Sequence, residues 1–99
     1  MGPVEIKLSY IGPLRQVMKC NEESLQIDPP VTVRAVLDGL IREHGEPLRD
    51  VFYNTQGWLD SRIMFLIDGQ RPEAREGLDT PLSGEEEIQI VMGMPMTGG

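Results

Sequence analysis

The residues with the clearest chemical potential are the last two, Gly98-Gly99. Glycine makes up about 7% of residues in general, so a terminal pair arises by chance in roughly one sequence in two hundred, and its setting decides what it means. A carboxylate is a poor acyl donor and reacts only after activation, typically as a mixed anhydride with AMP. Gly99 is therefore expected to be the covalent site of an ATP-dependent activation. The enzyme that performs it must draw the tail through a narrow channel, where residues without a Cβ thread and bend most easily. Gly98 and Thr97 are the threading neighbours. Met92, Met94 and Met96 stand at alternate positions just upstream, and flexible, polarizable side chains of this kind fill apolar grooves. Pro95 stiffens the segment toward an extended form, which reduces the entropy lost on docking. Met92, Met94, Pro95 and Met96 are expected to contact the partner that handles the tail.

Other reactive side chains read more plainly. Cys20 is a lone cysteine in a turn. His44 falls in the last turn of the main helix, where a cation favours the exposed carbonyls and the dipole. Trp58, beside Gly57, is either a partner anchor or a side chain folded back on the core. Glu22-Glu23 reads as a solvated face and Glu85-Glu86-Glu87 as a solvated turn. No catalytic residue and no metal-ligand set is expected.

A tail of this kind needs a folded body behind it. The 99 residues make one domain, which buries roughly two thirds of the surface its unfolded chain exposes. Residues 1–92 are expected to form that domain and residues 93–99 a flexible tail. With nine basic against sixteen acidic residues the net charge is -7, which repels phosphate backbones and anionic lipids. Nucleic acid and membrane surfaces are thus poor partners, and a basic protein surface is a better one. No run of eighteen apolar residues and no basic-then-apolar leader occurs. One cysteine suits a reducing compartment, so a cytoplasmic protein is expected.

Val4, Ile6, Leu8 and Tyr10 alternate with polar residues, the pattern of a half-buried strand. Gly12-Pro13 ends it, and Leu14 to Val17 is expected to form a helical turn with Leu14 and Val17 inward. Ser24 to Asp28 reads as a second strand, with Leu25 and Ile27 on one face. Thr32 is a helix N-cap, followed by the apolar stripe Val33, Val36, Leu37, Leu40 and Ile41. Gly45 is placed for a left-handed cap. A shorter helical piece around Pro47 to Tyr53 buries Leu48, Val51 and Phe52, and Asn54 to Asp60 is a loop. Ser61 to Ile67 is a third strand closed by the Asp68-Gly69 turn. Gln70 to Pro72 is at most a short edge strand, and Glu87 to Met92 is the last. Strand, strand, helix, strand, short strand, strand describes an α+β domain, a mixed sheet of four to five strands on one main helix. This order resembles the β-grasp fold of ubiquitin.

Three segments carry a closer resemblance. Gly12-Pro13-Leu14-Arg15 after the first strand, Thr32-Val33-Arg34-Ala35-Val36-Leu37-Asp38-Gly39-Leu40, and the stretch from Ile67-Asp68-Gly69-Gln70 through Leu78-Asp79-Thr80-Pro81-Leu82-Ser83-Gly84-Glu85-Glu86 to Met94-Pro95-Met96-Thr97-Gly98-Gly99 are together similar to the MoaD/ThiS family of sulfur carriers, which includes the small subunit of molybdopterin synthase. The resemblance implies a non-catalytic carrier. A ubiquitin-activating-type adenylyltransferase, using its own ATP, would adenylate Gly99. A sulfur donor would convert it to a thiocarboxylate, and an acceptor such as the molybdopterin synthase large subunit would take the sulfur. No cofactor is bound by the carrier itself. Two departures stand out. The segment from Glu46 to Asp60 is longer than in compact members, and Thr97 replaces a smaller residue. The longer middle resembles carriers for cysteine biosynthesis and archaeal-type protein modifiers, so sulfur delivery to cysteine or thiazole synthesis and conjugation to lysines through Gly99 are the alternatives.

Overall fold

A computed structural model of the chain describes residues 2–72 and 77–93. Strand β1 (Val4–Ile11) runs antiparallel to β2 (Glu22–Ile27) on one side and parallel to β4 (Ile88–Met92) on the other, and β4 is antiparallel to β3 (Ile63–Ile67). The sheet order is β2-β1-β4-β3. Helix α2 (Val33–His44) connects β2 to the second half of the chain. Short helices α1 (Leu14–Met18) and α3 (Arg49–Phe52), with 3-10 turns at Glu46–Leu48 and Gly77–Asp79, fill the connections. The first and last strands lie side by side and in parallel at the centre of the sheet. This is the β-grasp arrangement expected from the element order.

The start of α2 follows from Thr32, whose Oγ1 accepts from the Ala35 N–H at 3.1 Å and so satisfies one of the unpaired donors of the first turn. Its stripe Val33, Val36, Leu37, Leu40 and Ile41 is buried against Ile6, Leu8, Leu25, Phe65, Ile88 and Ile90 from the four strands. A Cβ on Gly39 would lie 3.0 Å from Leu25 Cδ2, so the helix lies close on β2 at that point. Phe52, fully buried, and Leu48 close the far end of the core.

Several local expectations are corrected. In α1 the inward pair is Leu14 and Met18, while Val17 is 44% exposed. Residues four apart are offset by less around a helix than residues three apart, so Met18 shares the face of Leu14 more closely. Gly45 does cap α2, its N–H donating to Ile41 O at 2.7 Å, with the positive φ expected of a glycine cap, but its φ 108 and ψ 162 lie outside the left-handed helical well. Strand β3 begins at Ile63 rather than Ser61, because Asp60 Oδ1 accepts from the Arg62 N–H and holds a turn there. Gln70 to Pro72 does not form a strand. Only the Ile67–Gln70 bridge closes the Asp68-Gly69 turn, whose two residues both have positive φ.

Strand β2 starts two residues early, at Glu22, and Glu23 is not part of a solvated face. Its Oε2 accepts from Tyr10 OH at 2.6 Å, is 2.9 Å from His44 Nε2, and lies 3.7 Å from Cys20 Sγ. An ionised carboxylate only accepts, so the imidazole must present an N–H to it. One oxygen thereby joins β1, β2, the turn after α1 and the last turn of α2. Burial, reinforced by the hydrogen bond and charge of Glu23, pushes the Tyr10 phenol well above its ordinary range. Burial and then Glu23 also push the Cys20 thiol up, which disfavours the reactive thiolate.

Tyr53 is held similarly, donating to Asp38 Oδ1 at 3.2 Å. Burial, followed by the Asp38 charge, pushes its phenol up to about 12. The folded value lies above the unfolded one of about 10, so the contribution of Tyr53 to stability is complete below about pH 10 and is lost as pH rises through about 12. Tyr10 shifts in the same direction. Urea midpoints are therefore expected to fall steeply above about pH 10, and less steeply in Tyr53→Phe. Equal slopes for the two proteins across that window would show that Tyr53 is not coupled to folding.

Candidate functional site

Of the site residues expected from the sequence, Met94, Pro95, Met96, Thr97, Gly98 and Gly99 lie outside the described residues, and Met92 and Gly93 lie within them. What the structure defines is therefore the root of the tail. Met92 is the last residue of β4, opposite Ile63 at the start of β3. Its side chain belongs to the inward set with Ile88 and Ile90, half-buried and packed on the edge of the core.

Two contacts fix the point where the chain leaves the sheet. The Gly93 N–H donates to Arg62 O at 2.8 Å. Arg62 is itself held by Asp60, whose Oδ1 accepts from its N–H at 2.9 Å and from its Nε at 3.0 Å, while Nη2 reaches Oδ2 at 3.3 Å. This guanidinium, hydrogen-bonded to the carboxylate, holds Asp60 below its usual range. On the other flank is Gly12, at φ 78. A Cβ there would lie 2.5 Å from the Met92 carbonyl oxygen, so both the backbone conformation and the close approach require glycine. Asp60-Arg62 on one side and Gly12 on the other leave the last strand little freedom as it passes into the tail.

The outward face of the sheet beside this root is unexpectedly apolar. Alternation sends Ile63, Phe65, Ile67, Ile88 and Ile90 inward, so Met64, Leu66 and Val91 project to the opposite face. Ile11 is 39% exposed and is paired with Val91, which is paired in turn with Met64. Ile11, Val91 and Met64 thus form one row across three strands, with Leu66 one pleat away opposite Gln89. Sequence reasoning missed this row, though the signal was present. Runs such as Ile63-Met64-Phe65-Leu66-Ile67 are apolar at every position, whereas a strand with one wet face should alternate. Trp58 does not fold back on the core; it is 70% exposed.

Among the described residues, no helix is long and apolar enough to cross a membrane. A four-stranded mixed sheet on one helix, with a glycine-ended tail leaving its central strand pair, defines a small ubiquitin-like carrier or modifier protein. The chain belongs to the ThiS family, whose model it matches over residues 8–99. Solved structures agree. Small archaeal modifier protein 1 from Methanosarcina acetivorans is similar at 27% identity and a TM-score of 0.76, with 100% of both chains covered. Small archaeal modifier protein 1 from Haloferax volcanii gives 21% identity and a TM-score of 0.77 over 96% of this chain and 99% of that one. A protein provisionally assigned as molybdopterin converting factor, subunit 1, from Pyrococcus furiosus gives 16% and 0.69 over 92% and 99%. The last two likenesses concern the fold alone. A search of the curated proteins finds no match.

Proposed function

We propose that this protein carries sulfur on the carboxylate of Gly99. In this reading the carboxylate attacks the α-phosphorus of ATP on a ubiquitin-activating-type adenylyltransferase and pyrophosphate leaves. A sulfur donor then displaces AMP from the acyl carbon to leave a thiocarboxylate. The sulfur passes to a precursor on an acceptor enzyme such as the molybdopterin synthase large subunit, in synthesis of the molybdenum or tungsten cofactor. The carrier supplies no acid, base or cofactor, and the ATP belongs to its partner. The observation that carries the reading is the family match that continues through the final strand to Gly99. The fixed tail root supports it, because a tail that leaves the body at one defined point arrives in a partner's channel with less left to order. The row Ile11, Val91 and Met64 supplies an apolar docking surface beside that root, and Met94, Pro95 and Met96 follow it in the sequence.

The full-length similarity to small archaeal modifier protein 1 from Methanosarcina acetivorans favours a second reading, conjugation of Gly99 to lysines of other proteins. Both readings begin with adenylation. The test of that shared step is ATP–pyrophosphate exchange by the adenylyltransferase in the presence of this chain. Ile11→Asp, a charge placed in the apolar row, is expected to lower exchange about tenfold or more at subsaturating carrier, the scale of a central interface residue. Undiminished exchange would remove the row from the interface.

A further inference from the structure

The tail root and the apolar row account for one face of the sheet. The segment between α3 and β3 remains unassigned, and it is built with more care than a connection needs. Asn54 Oδ1 accepts from the N–H groups of Gln56 and Trp58 at 2.9 and 3.1 Å. The Asn54 N–H donates to Trp58 O at 2.8 Å, the Gly57 N–H donates to Asn54 O at 3.0 Å, and a Tyr53–Leu59 bridge closes the base. One asparagine thus locks the loop from both sides. The product of that order is a 70% exposed indole, the largest apolar side chain the molecule presents to water. An exposed tryptophan on a rigid loop loses little entropy when it is covered.

Beside the indole is an open groove of about 730 Å³ along β3, the edge strand of the sheet among the described residues. Leu59, Met64 and Leu78 give it an apolar lining, and Arg34 and Arg71 border it. The chain as a whole carries a net charge of -7, whereas the charged side chains among the described residues lining the groove are the two arginines. Among the described residues, neither is committed elsewhere by a strong contact. Arg34 Nε is 3.6 Å from Asp79 Oδ1 with both side chains well exposed, a pairing of small worth in water. Among the described residues, Arg71 Nε contacts the Met64 sulfur, at 3.1 Å. Met64 is also the last member of the row that ends beside the tail root, and Ile63 in the groove is the strand partner of Met92. Groove and row are therefore continuous around the β3 edge.

We infer that Trp58 and this groove form a second docking surface for the enzyme that adenylates Gly99, met by an apolar cleft on that enzyme flanked by carboxylates opposite Arg34 and Arg71. The inference rests on the proposed activation of the tail. It adds to it by naming a surface away from the tail and the sign of charge that must face it.

Trp58 is the only tryptophan, so 5-fluorotryptophan incorporation gives one fluorine resonance reporting on this site alone. The probe is the purified cognate adenylyltransferase with ATP. Its addition is expected to shift and broaden that resonance. Trp58→Ala is expected to weaken binding about tenfold or more, and Arg34→Glu with Arg71→Glu to weaken it with a loss of its salt dependence. The thermal midpoint of Trp58→Ala should stay near that of wild type, since the side chain is exposed. If the enzyme adenylates wild-type protein while the resonance stays fixed and both variants bind within about twofold of wild type, the docking surface is refuted and the carrier reading stands. If the wild-type chain is not adenylated at all, the carrier reading fails and takes this inference with it.

Discussion

Deletion of Gly99 is expected to abolish adenylation while leaving the folded domain as stable as before. The chemical reason is position rather than charge. The shortened chain still ends in a carboxylate, that of Gly98, but the reacting carbon is withdrawn by one residue, about 3.3–3.6 Å of extended chain. A displacement of about 1 Å in an aligned bimolecular reaction already costs on the order of a hundredfold. The tail root cannot slide to compensate, because the Gly93 N–H is bonded to Arg62 O and Gly12 is in close contact with the Met92 carbonyl. Stability should not change, since among the described residues the buried core is built from residues between Ile6 and Ile90. The check pairs ATP–pyrophosphate exchange with a urea melt. Residual exchange near the wild-type rate would mean that the partner does not measure the length of the tail.

Leu37→Ala should be the most damaging single truncation in the helix. Leu37 is fully buried at the middle of the α2 stripe, between Val33 and Ile41, facing the strands. Removing its isobutyl tip loses transfer free energy and leaves a cavity that a sheet hydrogen-bonded on both sides cannot collapse to fill. The expected cost is about 2–5 kcal/mol, a large share of the roughly 5–15 kcal/mol that holds a domain together. Val17→Ala is the matched control. Although Val17 reads as inward in the sequence, it is 44% exposed, and its truncation should cost no more than about 0.5 kcal/mol. Similar urea midpoints for the two variants would contradict the packing described here.

The contrast between these two positions shows what the sequence made legible. Helix α2 could be read almost to the residue, because a capping threonine, a five-member stripe and a terminal glycine all point to one element. The first and last strands, at the centre of the sheet, and the β-grasp order followed from alternation. Val17 could not be read, because a single helical turn offers too few residues to define a face. Glu23 was misread because its role depends on Tyr10, Cys20 and His44, which come together only when the sheet has formed. The apolar row was hidden for a related reason. An apolar residue at every position of β3, and the run Ile90-Val91-Met92 in β4, look like burial on both faces, and only the register across β1, β4 and β3 shows that Ile11, Val91 and Met64 meet on the side away from the helix. The chemistry expected of Gly99 rests on the terminal glycine pair and on the family, since Gly99 lies outside the described residues, and what the fold adds is the point at which the chain leaves β4.

Under the proposed function, whether sulfur or lysine receives the activated carboxylate is the central question, and Lys7 and Lys19 bear on it only weakly. With two lysines, the chain offers few sites for polymers of itself, yet single attachments to other proteins need none. The direct measurement is intact-mass spectrometry of the protein isolated from its native cell, compared with a Gly99-deleted form from the same source. The expected result is a species in which one oxygen of the C-terminal carboxylate has been replaced by sulfur, and which is missing from the deleted form. Unmodified protein together with abundant conjugates joining Gly99 to lysines of other proteins, and no sulfur-bearing species, would contradict the carrier and establish the modifier.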